Sequence, residues 1–276
     1  MRQHITSVKI SRPSKSVVYV EVETETRQGV LPVLFTADRH WDNPKSDLKM
    51  QKRHLDWCDE NDALIIDVGD LFCAMQGVGD PRGSKGDIRP EHMQGDYLNC
   101  LSRTAFDFFK PYSKRFIALF KGNHETAVLK RKEVDLTGRL VYDMSREGSP
   151  VQSMGYSGYV RIAMKRKGSR DSRVWTIYCE HGSGGGGPVT KGVIQTNRRG
   201  VYITDADLLV TGHIHESWMV EVVKERLTNS HEPFLVTQLH LQLPTYKEEY
   251  LAHEGFHNER GRPPKPMGAW AVHFEY

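Results

Sequence analysis

Five short apolar runs frame this chain: residues 31–35, 63–68, 116–120, 175–179 and 208–210, each closed by a polar motif. Runs of this length predict strands rather than helices. Residues 17–22 alternate weakly between apolar and polar and predict a further strand, paired with residues 30–35 as a hairpin around Arg27-Gln28-Gly29. Apolar positions at helical spacing, through Leu48, Leu55 and Cys58, predict a helix over 45–60. Tyr97, Leu98, Leu101, Phe108 and Phe109 predict another over 96–110, stopped by Pro111. A short helix is expected over 126–132, and a helix or loop over 188–199. Residues 156–164 and 173–179 read as strands joined by a Lys/Arg/Gly/Ser turn. Residues 217–224, 233–239 and 268–276 read as three more, the last with Trp270, Val272 and Phe274 on one face. The stretches 74–95 and 243–266 are rich in breakers and read as irregular; loops of such length are usually functional or mobile.

The later strands follow one another without intervening helices, which favours a sandwich or a mixed sheet over a doubly wound one. The fold expected is α/β with α+β character: a four-layer sandwich of two mixed β-sheets flanked by helices. No repeat, linker or low-complexity tail divides the 276 residues, so one domain over 1–276 is expected.

Composition changes this picture little. With 38% hydrophobic residues the chain can build a sizeable core, and a net charge of +3 is nearly neutral at this length. Duplex-binding proteins show a stronger basic footprint, so charge gives no support to a nucleic-acid partner. The clusters Lys130-Arg131-Lys132 and Lys165-Arg166-Lys167 read as solvated helix ends and turns. Cys58, Cys73, Cys100 and Cys179 form no C-x-x-C pair and read as reduced thiols. Residues 1–13 are polar, without the apolar core of a secretion signal, and no run reaches membrane-spanning length. A soluble, cytoplasmic protein with no membrane partner is expected; the oligomeric state is left open.

Chemistry enters at the ends of the five runs. There stand Asp38-Arg39-His40, Gly69-Asp70, Gly122-Asn123-His124-Glu125, His181-Gly182 and Gly212-His213-Ile214-His215. Each alone has a plainer explanation: a solvated Asp-x-His, a turn, a helix cap, a chance histidine pair. Their joint occurrence after five strand-like runs decides otherwise. The C-terminal ends of parallel strands converge on one edge of a sheet, where α/β proteins build sites. That edge would gather Asp38, His40, Asp70, Asn123, His181, His213 and His215. Seven oxygen and nitrogen donors exceed one tetrahedral ion and suit two ions sharing a carboxylate. Displacement at phosphorus is the chemistry that uses two adjacent ions.

In this order the motifs resemble the calcineurin-like metallophosphoesterase family, from about residue 31 to residue 215. The resemblance implies a β-sandwich flanked by helices, with two metals at the strand ends. It implies that Asp38, His40 and His215 hold one ion, that Asn123, His181 and His213 hold the other, and that Asp70 bridges them. It makes His124 a catalytic residue, not a ligand, and gives Asn123 a share in steadying the phosphoryl oxygens. One departure stands out. Where the protein-phosphatase branch carries an Asp that orients the catalytic His, this chain has Cys73, followed by Ala74-Met75. That argues against a protein phosphatase and leaves the orientation of His124 without its usual partner.

The activity expected is hydrolysis of phosphate esters by a hydroxide held between two divalent transition-metal ions. The mixed donor set suits manganese first, then iron, zinc or nickel, over magnesium. His124 would protonate the leaving oxygen, since imidazole exchanges protons near neutral pH. Glu125 would cap the following helix or support a ligand histidine. Phosphodiesters of nucleotide or nucleic-acid type are favoured as substrates, with phosphomonoesters or a catalytically silent scaffold as alternatives.

The run His181-Gly182-Ser183-Gly184-Gly185-Gly186-Gly187 also matches G-x-G-x-x-G, with Asp205 and Asp207 about twenty residues on. The acids precede the next strand instead of ending it, so a dinucleotide reading is rejected in favour of a flexible rim loop. Among the remaining histidines, His54 and His92 read as surface residues, and His231, His240, His253, His257 and His273 as outside the site. Asp42 and Asn43 stand close enough to the first motif to support its donors. Arg39 points either to phosphate or to solvent. Trp41 and Trp218 read as packing rather than substrate stacking.

Overall fold

The computed structural model describes residues 5–26, 28–76, 83–187, 189–251, 253 and 256–276. The elements run β1 (Ile5–Ser14), β2 (Val17–Thr24), β3 (Val30–Thr36), α1 (Leu48–Glu60), β4 (Leu64–Asp67), α2 (Tyr97–Phe109) and β5 (Phe116–Leu119). They continue with α3 (Asn123–Lys132), α4 (Leu136–Arg146), β6 (Gln152–Ser153), β7 (Ser157–Arg166), β8 (Ser172–Glu180) and α5 (Val193–Tyr202). Last come β9 (Leu208–Thr211), β10 (Trp218–Leu227), β11 (Pro233–Gln242), α6 (Phe256–Glu259) and β12 (Trp270–Glu275). Two mixed sheets result: a seven-stranded one ordered β1-β2-β7-β8-β9-β11-β10, and a five-stranded one ordered β12-β3-β4-β5-β6.

Side-chain alternation explains the layering. Every second residue of β2, Val18, Val20 and Val22, is buried, and these meet Val33 and Phe35 of β3 and Val160 and Ile162 of β7 in the core between the sheets. Full burial of each such side chain is worth about 1.5–3 kcal/mol. The opposite face of the smaller sheet, through Leu34, Ile65 and Leu119, packs on Leu55 of α1, Leu101 and Ala105 of α2, and Leu140 and Met144 of α4. The outer face of the larger sheet carries α5. There Gly200 lies so close that an added Cβ would sit 3.3 Å from Gln238 Oε1. The expected sandwich of two mixed sheets with flanking helices is therefore what forms.

Three expectations are corrected, and one strand is added to them. Residues 17–22 and 30–35 do not make a hairpin: β2 pairs with β1 and β7, whereas β3 pairs with β4 and β12 in the other sheet. The polar N-terminus becomes β1, an edge strand whose Pro13 is tolerated because an edge leaves one row of N–H groups unpaired. His54 is half-buried, with Nδ1 2.8 Å from Tyr246 Oη. His92 is buried beside Trp41, ring centroids 5.4 Å apart. The breaker-rich stretches 74–95 and 243–266, the Arg27 turn and the His257 side chain lie wholly or partly outside the described residues. Among the described residues no helix is long and apolar enough to cross a membrane.

Candidate metal centre

Two sheets, not one, deliver the motifs. Parallel neighbours β3, β4 and β5 end in Asp38 and His40, in Asp70, and in Asn123 and His124. Parallel neighbours β8 and β9 of the larger sheet end in His181 and in His213 and His215. The two edges are laced together where Asp38 Oδ2 accepts the main-chain N–H of His213 at 2.8 Å.

The donors fall into two compact sets. Asp38, His40 and His215 form the first. His40 and His215 point Nε2 at one another across 3.4 Å, and Asp38 Oδ1 lies 3.3 Å from the His215 nitrogen and 4.0 Å from that of His40. Asp70, His181 and His213 form the second. Asn123 joins it, its Oδ1 3.1 Å from His181 Nε2 and 2.8 Å from His213 Nδ1. Asp70 Oδ2 lies 3.2 Å from His181 Nε2. All seven residues of the expected set are thus within these two clusters. His124 stands at their border. It forms a third possible group with His40 and Cys73, and its Nε2 is 3.8 Å from Asp70 Oδ2.

Local backbone is bent to serve this convergence. Asp38, His40, Asp70, His213 and His215 all have φ between 42° and 73°. That left-handed region costs a non-glycine residue about 1–3 kcal/mol and clusters at functional sites. Gly122 lets the second and third motifs touch, since a Cβ there would meet Asp70 Oδ1 at 2.0 Å.

Buried polar groups brace the loops. Arg39 points neither to phosphate nor to solvent. It is fully buried between Phe109 and Tyr246, donating to Asp67 Oδ2 at 2.8 Å and to Gln51 Oε1 at 3.1 Å. Glu125 accepts the main-chain N–H groups of Asp70, Phe72 and Gly122, so it caps α3 and fixes the Asp70 loop at once. Burial, then the charge of Asp70, push its carboxyl up to about 8. From the C-terminal segment, Thr245 Oγ1 and Tyr246 N–H both bind the Asp38 carbonyl, at 2.9 and 3.1 Å.

The missing orienting carboxylate is replaced by main chain: His124 Nδ1 lies 2.6 Å from the Cys73 carbonyl oxygen. Position 73 therefore still holds the histidine, with an atom its side chain does not alter. The Cys73 thiol instead meets Asn43 Nδ2 at 3.3 Å. Cys73→Ser should accordingly leave the hydrolysis rate within about threefold of wild type. A hundredfold loss, the scale of a positioned acid–base group, would give the thiol a role of its own.

Do these residues fit metal ions? Asp38 Oδ1 is buried and has no hydrogen-bond partner among the described residues. His181 Nδ1 contacts the Val68 carbonyl at 2.9 Å, the usual outer partner of a metal-bound imidazole. That turns Nε2 toward two oxygens, on Asp70 and Asn123, which suits a positive charge between them. Burial alone would lower the His181 pKa, but the charge and hydrogen bond of Asp70 outweigh it and bring the pKa up to about 10. His40 goes the other way: burial and then the charge of His124 hold it well below the usual range, in the neutral form that binds metal. The donor set fits divalent transition metals, which favour imidazole with carboxylate and amide oxygen.

The Gly-rich loop is a separate matter. β8, α5 and β9 do make a βαβ unit, but Asp207 accepts the Thr176 N–H at the start of β9, the end of the sheet remote from the glycines. The acid is misplaced for a ribose, as the order of residues implied. Among the described residues the remaining histidines stay outside the clusters. His231, His253 and His273 are exposed, and His240 is buried against Gln238.

No protein family's model matches this chain, and no curated protein matches it. Among solved structures, a conserved uncharacterized protein from Streptococcus pneumoniae TIGR4, described as a predicted phosphoesterase, aligns over 79% of this chain and 74% of its own at 11% identity. The TM-score is 0.29, too slight a likeness to bear on fold or activity.

Proposed function

We propose that this chain is a phosphoesterase working with two divalent transition-metal ions, manganese first and iron, zinc or nickel as alternatives. Asp38, His40 and His215 would hold one ion, Asn123, His181 and His213 the other, with Asp70 shared. The observation that supports this reading is the pair of adjacent donor sets, joined through the two oxygens of Asp38. When bound, such ions supply Lewis acidity and a water of lowered pKa.

The chain's own groups account for the rest. His124 is tied at Nδ1 to the Cys73 carbonyl, which leaves Nε2 on the side of the donors to protonate a leaving oxygen. Asn123 stands beside His181 and His213 and would share in steadying negative charge on phosphoryl oxygens. The rim at Ser183, Gly184 and Gly185 is exposed, leaving room for a second ester group. This supports phosphodiesters over monoesters. The four free, buried thiols support a reducing compartment, the cytoplasm.

Elemental analysis of the purified protein should find up to two transition-metal ions per chain, and chelation should abolish activity. Loading should weaken as pH falls. The proton that His181 holds up to about 10 must be displaced by the ion, so affinity rises with pH through that range. With manganese added, bis-nitrophenyl phosphate, nitrophenyl phosphate, cyclic nucleotides and single-stranded DNA would sort diesters from monoesters. No metal and no activation by manganese, iron, nickel or zinc would end this reading; turnover of monoesters alone would reverse the substrate preference.

A further inference from the structure

Asp42 is buried, and one residue, Trp41, separates it from the nearest donor, His40. Its side chain reaches across to the loop that follows Asp70. Oδ1 accepts the N–H of Cys73 at 2.6 Å, and Oδ2 accepts the N–H of Ala74 at 2.8 Å. Tyr97 of α2 donates its hydroxyl to Oδ2 at 3.3 Å. One carboxylate therefore grips two consecutive amides of a turn. Ala74 in that turn has φ of 50°, a conformation an alanine keeps only when its surroundings impose it. The carbonyl of the residue so gripped, Cys73, is the one that meets His124 Nδ1 at 2.6 Å.

We propose that Asp42 is a positioning residue: by fixing the Cys73–Ala74 turn it aims the Cys73 carbonyl, and through it holds His124 in a single orientation and tautomer. A peptide carbonyl has no side-chain rotamers of its own, so its direction is set wholly by the turn that carries it. Two charge-assisted hydrogen bonds, donated by the Cys73 and Ala74 amides to a buried carboxylate, are a strong way to set it. With Nδ1 kept as the donor to the carbonyl, Nε2 is the nitrogen that takes up a second proton and passes it to the leaving oxygen. The functional half of this inference rests on the phosphoesterase reading; the structural half does not.

The test uses full-length protein loaded with zinc, which is diamagnetic, and compares wild type with Asp42→Asn. Asparagine keeps one acceptor but turns an NH2 group against a main-chain N–H. In wild type, long-range 1H–15N spectra should show His124 as the Nδ1–H tautomer, with His124→Ala giving the assignment. The Cys73 and Ala74 amides should exchange slowly with solvent. Freely exchanging amides, or an Nε2–H tautomer for His124 in wild type, would overturn the proposal without any variant being needed. In Asp42→Asn the tautomer should become mixed. The kcat for an alkyl phosphate ester should fall about tenfold or more, part of what an acid–base group contributes, while KM and the kcat for the nitrophenyl ester change by less than about threefold. Equal slowing of both esters with the tautomer unchanged would mark Asp42 as merely structural and sink the idea. If wild type hydrolyses neither ester with any metal, the phosphoesterase reading fails, and the tautomer and exchange results still decide the contact.

Discussion

Asp70→Asn is expected to lose more metal and more activity than any other single substitution at the centre. Its carboxylate lies 3.2 Å from His181 Nε2 and 3.8 Å from His124 Nε2, while Oδ1 accepts the His124 N–H at 2.9 Å. Burial disfavours its charge, yet the surrounding histidines, His181 first, hold its pKa well below the usual range. It is therefore a full negative charge in a cluster of imidazoles. If it serves both ions, asparagine removes charge from both sites while keeping the shape. Metal-ion stabilisation is worth several kcal/mol, and each 1.36 kcal/mol is tenfold in rate, so a loss of about a thousandfold is expected. His40→Ala and His213→Ala each remove one donor from one set and should retain part of the metal. Elemental analysis and rates for the three variants, side by side, check this. Equal and mild effects would contradict the shared role of Asp70.

His124→Ala should have a different signature: bound metal unchanged, with a loss that depends on the leaving group. His124 is 15% exposed where His181 is fully buried, so it is the imidazole better placed to meet substrate. Esters of alkyl alcohols or nucleoside hydroxyls should slow by about a hundredfold or more, the range of general acid catalysis. Nitrophenyl esters, whose leaving groups need little protonation, should slow by about tenfold at most. The geometry also gives the opposing outcome a meaning, because His124 falls within reach of His40 and Cys73 as a possible donor group. Loss of an ion in His124→Ala would make it a ligand and overturn the proton-donor role.

The sandwich and the convergence of the five motifs were both legible in the sequence; the pairing of the strands was not. Metal donors are few in kind, and they followed apolar runs that had to be strands: 31–35 became β3, and 116–120 contains β5. What the runs could not say is which sheet each strand joins. Residues 17–22 look like a partner for 30–35 because they are near in sequence, but β2 is in register with Tyr159 to Arg166 far along the chain. β1 was missed because this edge strand lays only Ile5 and Ile10 against the core and exposes most of its other residues, too few apolar positions to show an alternation. α4 was missed although Leu136, Leu140 and Met144 recur at helical spacing; it begins only three residues after α3 ends, and the charged run 130–133 hid the join. Arg39 misled in another way. A cation between two donors suggests phosphate, but the left-handed backbone on either side turns its side chain inward to Asp67. Asp42 gave no signal beyond its nearness to His40, since a carboxylate gripping main-chain amides depends on a loop thirty residues away.

The clasp that Thr245 and Tyr246 place on the Asp38 carbonyl bears on how the protein is made. Translation runs at about 5–20 residues per second, and residue 246 follows residue 38 by roughly 200 residues, so the first donor loop waits about 10–40 s for its clasp. β3 waits longer still, because its outer neighbour β12 lies beyond residue 246 in the chain. During that interval an ion meeting the nascent chain finds donors without their partners. The first donor loop therefore gains its brace only when residues 245 and 246 have folded back onto the Asp38 carbonyl, long after its own strand was made.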